Sequence, residues 1–362
     1  MAKLRIGVLG PSEIAFRKFL PALKKSINFE YVGVAIANSK ERNLEADDDT
    51  LYMVLSQSRE KALNFQKFFN GIVFDSYEEI ITADNIDAIY IPLPPGLHYY
   101  WAKKALDNGK HILVEKPFTT NLEDTEKLLE LAEQKQLAVH ENYAFCYHEQ
   151  LKKIQQLIFE GEIGELRQIR TAFGFPYRGA ADFRYHKDMG GGALLDCGGY
   201  PIKLSTFFLG NTARVTTATL TSTREHDVDV FGSATLQNNE GVTAQISFGM
   251  DNFYKCEVEI WGSKGYIFAP RIFTAPASEK VTIVLNNGEE KRIEIKENDQ
   301  FLESLHQFYQ CISDSTVRLK GYEEIKIQSK QVEDVLKINK ILGCENNDFK
   351  INSSCTTFDA TL

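Results

Sequence analysis

The sequence predicts an α/β fold followed by an α+β fold: a doubly wound parallel sheet, then a large, mostly antiparallel open sheet. Over roughly the first 140 residues, short and nearly continuous apolar runs alternate with amphipathic stretches, the pattern of a parallel sheet covered by helices on both faces. Beyond them, apolar residues alternate with polar ones in short segments joined by turn signals such as Asn286-Asn287-Gly288, the pattern of antiparallel strands. A length of 362 residues exceeds one ordinary core and suits two.

In chain order, the buried strands of the first part are expected at Leu4 to Leu9, Tyr31 to Ala37, Ala88 to Ile91, His111 to Val114 and Leu137 to His140. Between them, Ile14 to Lys25, Glu60 to Phe69, Leu97 to Asn108 and Leu122 to Lys135 read as helices. An acidic cluster (Glu41, Glu45, Asp47, Asp48, Asp49) marks Ser39 to Gln57 as an inserted surface loop. After a helix from Glu149 to Phe159, strands are expected at Leu166 to Phe175, Val215 to Thr221, Val230 to Leu236, Val242 to Phe248, Cys256 to Trp261, Val281 to Leu285 and Lys291 to Ile295. A helix from about Ala193 to Phe208 interrupts this series, and helices at Gln300 to Ile312 and Lys330 to Leu342 close it. The division expected is 1–142 for the first domain, 143–343 for the second, and a loosely held tail at 344–362.

Composition narrows the function. Hydrophobic and charged fractions of 43% and 25% are those of a globular protein and exclude a disordered or fibrous chain. No apolar run spans a bilayer and no long apolar segment follows the N-terminus, which predicts a cytoplasmic protein. The six cysteines show no metal or redox spacing and are expected as reduced thiols, with no metal site. A net charge of −9 argues against nucleic-acid and anionic-membrane partners, so any phosphorylated ligand must meet locally concentrated basic groups.

The first strand runs into Gly10-Pro11-Ser12-Glu13-Ile14-Ala15 and a helix. A dinucleotide fingerprint has the form G-x-G-x-x-G/A; here Ser12 replaces the middle glycine. Gly10 permits the tight turn, Ala15 permits close helix–strand packing, and the helix N-terminus offers N–H groups to a pyrophosphate. The second strand ends in Ala37-Asn38-Ser39-Lys40 with Arg42 close by. Small polar and basic groups suit a ribose phosphate, which favours NADP, with NAD possible; Ser58-Arg59 is a second candidate for the same contact.

After the strand ending at Val114 comes Glu115-Lys116-Pro117, which puts a lysine at the carboxyl end of a parallel strand, facing the ligand crevice of such sheets. Farther on, Asp182-Phe183-Arg184 precedes Gly190-Gly191-Gly192-Ala193-Leu194-Leu195-Asp196-Cys197-Gly198-Gly199-Tyr200-Pro201. Asp196 and Tyr200 share a face if this is a helix. The two glycines between them are expected to let backbone approach a flat ligand such as a nicotinamide, and Pro201 to kink the helix. Tyr143, Phe145 and Tyr147 alternate as strand residues packed in the core, and His148 reads as structural at the domain junction.

These motifs resemble the glucose–fructose oxidoreductase and inositol dehydrogenase (Gfo/Idh/MocA) family over nearly the whole chain. The resemblance rests on Gly10 to Ala15, on Pro92-Leu93-Pro94 leading to His98, and on Glu115-Lys116-Pro117. It continues through Glu141 to His148, the glycine run with Asp196 and Tyr200, and Trp261-Gly262-Ser263-Lys264-Gly265. Tyrosine at the end of the Asp196 motif, with Pro270-Arg271-Ile272-Phe273-Thr274, is similar to NADP-dependent 3-ketoreductases of nucleotide-linked deoxysugars. Two features depart from the pattern: Cys146, where many relatives carry arginine, and the Ser39 to Gln57 insertion.

The resemblance implies an N-terminal Rossmann domain and an oxidoreductase moving hydride between nicotinamide and a sugar or nucleotide-linked sugar. Tyr200 would donate the proton, Lys116 would stabilise the alkoxide and lower the phenol's pKa, and Asp196 would orient Lys116 or a sugar hydroxyl. The cofactor would meet Gly10, Ser12, Glu13, Ile14, Ala15, Asn38, Ser39, Lys40, Arg42, Pro92, Leu93, Pro94, His98, Glu115 and Lys116, with His98 lining the nicotinamide pocket. Arg184, Lys203 and Tyr200 would meet the substrate. A dehydrogenase of a free aldose or polyol, an NAD-dependent glycosidase and a non-catalytic nucleotide-binding regulator remain open. The second sheet is expected to present a largely apolar face, covered in a homodimer or homotetramer.

Overall fold

The computed structural model describes residues 3–42, 48–223 and 225–341. Six strands form the first sheet: β1 (Leu4–Leu9), β2 (Phe29–Ala35), β3 (Ile72–Phe74), β4 (Ala88–Ile91), β5 (His111–Val114) and β6 (Val139–Glu141). They are all parallel, in the order β3-β2-β1-β4-β5-β6, so the chain reverses its direction of winding between β1 and β4. The carboxyl ends of those two strands are therefore flanked by loops that diverge, which opens a crevice there. β4 is buried along its whole length, as its unbroken apolar run requires of a strand covered on both sides.

The second sheet has eight strands: β7 (Leu166–Gly174), β8 (Arg214–Ser222), β9 (Asp229–Gln237), β10 (Thr243–Gly249), β11 (Lys255–Gly262), β12 (Tyr266–Ala269), β13 (Val281–Asn286) and β14 (Glu290–Ile295). Their order is β14-β13-β12-β11-β7-β10-β9-β8, antiparallel except for the central β7–β10 pair. Register separates its faces cleanly. The row Ile260, Ile169, Ala244, Leu236, Val215 is buried against the helices. The neighbouring row Glu259, Arg170, Gln245, Thr235, Thr217 points outward. That outer face is more polar than expected, with Phe231 and Trp261 as its large exposed apolar groups.

The acidic stretch taken for a surface loop is largely helical: Ser39–Arg42 forms one short helix and Asp48–Phe69 a long one, with residues 43–47 outside the described set. Acidic side chains suit a helix N-terminus, where they oppose the positive end of the dipole, and Ala62 and Phe65 farther along bury against the first sheet. The two strands not foreseen, β3 and β12, have three and four residues and carry too little pattern to read.

The closing helices, Gln300–Ser313 and Ser315–Ile341, do not respect a boundary at residue 142. Leu305, Phe308 and Cys311 complete the cluster around Ile6 and Val8, with Phe308 stacked on Phe29 at 5.5 Å. Tyr322 and Ile325 join the other face of the same sheet, and Val332 and Val335 the core of the second. Among the described residues no helix is long and apolar enough to cross a membrane.

One helix carries the second half of the site. It opens as a wide π-helical turn, Leu194–Gly198, and continues as an α-helix, Gly199–Leu209, after the Leu194 N–H donates to Asp229 Oδ2 at 2.7 Å. Pro201, which lacks an N–H, follows directly after the changeover. The glycines meet protein, not ligand: a Cβ on Gly198 would lie 3.1 Å from the Phe248 ring, and one on Gly199 only 2.1 Å from Tyr143 Oη. Gly199→Ala, stabilising at an exposed helical position, should here cost about 1–3 kcal/mol by overpacking. Urea unfolding checks this; a gain in stability would show that Tyr143 yields freely.

Candidate active site

Gly10 ends β1 with φ +86°, a conformation that few side chains adopt, and a Cβ there would crowd Tyr77 Oη at 3.0 Å and Leu93 at 3.1 Å. The Ser12 hydroxyl oxygen accepts from Ala15 N at 3.2 Å, so it caps the helix, while the amides of Glu13 and Ile14 have no backbone acceptor among the described residues. Ala15 is fully buried where helix meets strand. A tight turn, free first-turn amides and a small residue at the crossing are what a dinucleotide pyrophosphate requires, and this chain provides them. Pro92 is buried behind Leu93 and Pro94, which border the crevice half-exposed.

The end of β2 shows why no carboxylate faces a ribose there. Asn38 and Glu41 form a reciprocal cap: Asn38 N donates to Glu41 Oε2 at 2.9 Å, and Glu41 N to Asn38 Oδ1 at 3.0 Å. The same carboxylate also accepts from Tyr77 N and Glu78 N at 3.1 and 2.9 Å, locking the acid into backbone contacts. Ser39 and Lys40 stay exposed, a donor set suited to a phosphate. The Arg42 side chain lies outside the described residues. Arg59, the alternative, lies on the long helix and pairs with Asp75, just after β3.

At the end of β5, Lys116 crosses to the second half of the molecule. Its Nζ donates to the Asp196 main-chain oxygen at 2.7 Å and to Asp196 Oδ1 at 2.9 Å, both side chains nearly buried. An ammonium has three N–H groups, and the third has no partner among the described residues. The same Nζ lies 5.1 Å from the centre of the Tyr200 ring. Tyr143, Phe145, Phe173 and Phe273 surround that ring at centroid distances of 5.0–5.7 Å. The Tyr200 hydroxyl has no hydrogen-bond partner among the described residues. An ammonium and a phenol, each with an uncommitted donor, thus converge from two different sheets' helices and loops.

Burial works against the charges of Asp196 and Arg184. It pushes the Asp196 carboxyl up, but Lys116 and Arg184 more than reverse that and hold it at about 2. The Tyr200 phenol moves the opposite way from the expectation. Burial, then the charges of Glu115 and Asp196, raise it well above the ordinary value, so it holds its proton. Glu115 is also raised by burial; it sits beneath the site, accepting from Tyr90 Oη and Asn142 Nδ2, each at 2.6 Å.

Other expected site residues lie elsewhere. His98 is fully buried behind the crevice, its ring nitrogens 2.7 Å from Leu93 O and 2.8 Å from Pro117 O, so it ties two site loops together and does not line the pocket. Lys203 turns from Lys116 toward Glu324 O at 3.3 Å, on the side of the helix facing Cys146 and Glu141, and meets no substrate crevice. Arg184 is spent on carboxylates: Nε on Asp196 Oδ2 at 2.8 Å and one terminal nitrogen on Asp182 Oδ1 at 3.0 Å. His148 caps the helix Glu149–Phe159, and Tyr143 and Phe145 pack in the core from a 3-10 turn, not a strand.

Sequence reasoning missed the support beneath the site. His140 donates to Ser304 Oγ at 2.9 Å, Ser304 to Asn142 Oδ1 at 2.8 Å, and Asn142 in turn to Glu115. Only Ser304, one helical face of a distant segment, carries no motif that could have announced it. Cys146, Cys197, Cys256 and Cys311 are free thiols, and no group of side chains among the described residues could hold a metal.

Asp196 gives a pH signature. Its folded value of about 2 lies below the 3.8 of an unfolded chain, so its pairing stabilises the fold fully above about pH 4 and is lost as pH falls through about 2. Asp196→Asn should be less stable than wild type by roughly 2–5 kcal/mol at neutral pH and melt at a lower temperature, with the gap narrowing between about pH 4 and 2. Thermal melts across that range check it; a constant gap would contradict the pairing.

Comparison with known proteins identifies the family. Residues 4–143 match the model of an oxidoreductase family with an NAD-binding Rossmann fold, and residues 151–268 match the GFO/IDH/MocA C-terminal domain. A dTDP-3,4-didehydro-2,6-dideoxy-alpha-D-glucose 3-reductase of Actinomadura kijaniata is 35% identical over 85% of this chain and 87% of its own length. The enzyme of the same name from Saccharopolyspora spinosa is 36% identical over 86% and 89%. Among solved structures, a 3-ketoreductase of Actinomadura kijaniata in complex with NADP and TDP-benzene superimposes with a TM-score of 0.81 at 33% identity, over 93% of this chain and 98% of that one. With both family models matched and such identity along most of its length, this chain belongs to the GFO/IDH/MocA family of oxidoreductases.

Proposed function

We propose that this protein is an NADP-dependent reductase of a ketone carbon on a nucleotide-linked sugar. The observation that carries the reading is the meeting of Lys116 and Tyr200, 5.1 Å from ammonium to ring centre, beside the crevice at the ends of β1 and β4. The relatives named above as 3-reductases of a dTDP-linked ketosugar, and the related enzyme holding NADP with TDP-benzene, support the substrate class and the cofactor.

NADPH, when bound, supplies hydride to the ketone carbon. Gly10 through Ala15 would receive its pyrophosphate, and Ser39 and Lys40 the ribose phosphate. Everything else falls to the chain's own side chains. Lys116 directs its third N–H at the carbonyl oxygen and favours the negative charge that forms there. Tyr200, kept protonated by burial, gives its proton to that oxygen as the negative charge forms there. The rings packed around Tyr200 fix its orientation beside Lys116. The protein is further proposed to work in the cytoplasm as a homodimer or homotetramer through the outer face of the second sheet, where Phe231 and Trp261 stand among polar neighbours.

Tyr200→Phe should lower turnover about 10²–10⁴-fold, and Lys116→Ala more, because charge and positioning go together. Steady-state NADPH oxidation with a nucleotide-linked ketosugar measures both; full turnover in Tyr200→Phe removes the phenol from the mechanism. Lys40→Ala should weaken NADPH about 10–100-fold while leaving NADH unchanged. Equal loss for both nucleotides would show that Lys40 does not read the phosphate.

A further inference from the structure

Lys116 and Asp196 do not stand alone. Asp196 Oδ1 takes Lys116 at 2.9 Å, Asp196 Oδ2 takes Arg184 Nε at 2.8 Å, and the other edge of that guanidinium takes Asp182 Oδ1 at 3.0 Å. The result is a row of alternating charge, Lys116, Asp196, Arg184, Asp182, whose far end is somewhat more exposed than the Lys116–Asp196 pair. We infer that Arg184 is a positioning residue for the reaction, acting through Asp196 on the Lys116 ammonium. The inference rests on the reductase reading and deepens it.

A carboxylate with one cationic partner can rotate and grip it with both oxygens. Here Arg184 occupies Oδ2, so Lys116 is held at Oδ1 and at the main-chain oxygen of the same residue, with its third N–H turned elsewhere. Arg184 also shares the neutralisation of Asp196. A carboxylate already paired on one side quenches less of the ammonium's charge, leaving more for the developing alkoxide.

Arg184 is itself tightly fixed. Its guanidinium lies 4.5 Å from the Phe183 ring centre, its N–H donates to Asp182 Oδ1 at 3.1 Å, and its carbonyl accepts from Gly192 N at 2.9 Å. A Cβ on Gly191 would lie 2.4 Å from that carbonyl oxygen, so the glycine run is needed where Arg184 passes beneath it. Arg184 and the helix bearing Asp196 and Tyr200 are thus seated on one another.

The groups facing Asp196 are Lys116 from the end of β5, Arg184 from the preceding segment, and Tyr200 and Cys197 on its own helix; Asp182 lies beyond Arg184, and Asp229 binds the helix start at Leu194. Lys116 and Arg184 are the cations among them that lower it. Removing one lets burial push Asp196 upward.

The test uses the full-length enzyme with NADPH and a dTDP-linked ketosugar. Arg184→Gln keeps an N–H for Asp196 but no charge. Turnover should fall about 10–100-fold with KM for the sugar changed less than about 3-fold. The acid limbs of turnover and of thermal melting should both move up by about one pH unit or more. Arg184→Lys keeps the charge but cannot span both carboxylates; its limbs should stay near wild type while turnover falls about 10-fold. A rise in KM with turnover unchanged would make Arg184 a substrate contact and overturn the inference, as would an unmoved acid limb of melting. If Arg184→Gln does not fold, Arg184→Lys decides, and full turnover there overturns it. Wild-type protein inert toward the ketosugar counts against the reductase reading alone, because the melting limb reads the Arg184–Asp196 coupling without substrate.

Discussion

The molecule turns on one ion pair between its two sheets. Taking an ammonium and a carboxylate out of water costs several kcal/mol each, and their mutual attraction returns that only with good geometry and full hydrogen bonding. The chain meets the condition by surrounding the pair: Asp196 has a second cation on its far oxygen, and Lys116 a main-chain acceptor beside the carboxylate. The features around it serve this placement. The ends of β4 and β5 are tied by His98, and the helix bearing Asp196 is fixed at its start by Asp229.

Much of this was legible in the sequence because the physics is local. Continuous apolar runs located β1, β4 and β5, and alternation located most of the second sheet. Glu115-Lys116-Pro117 at a strand end, and Asp196 and Tyr200 one helical turn apart, pointed to side chains that the fold brings together. What failed was non-local or energetic. A charge run looks alike in a loop and at a helix start, so Ser39 to Gln57 was misjudged. His98 looked like a ligand contact because no sequence pattern reveals that two carbonyl oxygens lie within reach of its ring. The direction of the Tyr200 shift depends on Glu115 and burial, which become neighbours only in the fold.

Specificity for the cofactor illustrates how a negative feature is built. Glu41 lies close in sequence to where a ribose-binding acid stands in NAD enzymes. It is withdrawn by three backbone amides, those of Asn38, Tyr77 and Glu78, so its charge is spent inside the protein. If Lys40 reads the phosphate as proposed, the fold's disposal of this acid would contribute to discrimination as much as that lysine.

The closing helices also bear on how the chain reaches its native state. Ile6 and Val8 share a cluster with Leu305, Phe308 and Cys311, which lie far along the chain and leave a ribosome much later. Until those late residues emerge, one flank of the N-terminal sheet stays uncovered and exposes apolar surface. Such distant partners make closure slow in entropy terms, and the sheet cannot mature as an independent unit during synthesis. Truncated products of translation would therefore be sticky intermediates, not smaller working domains.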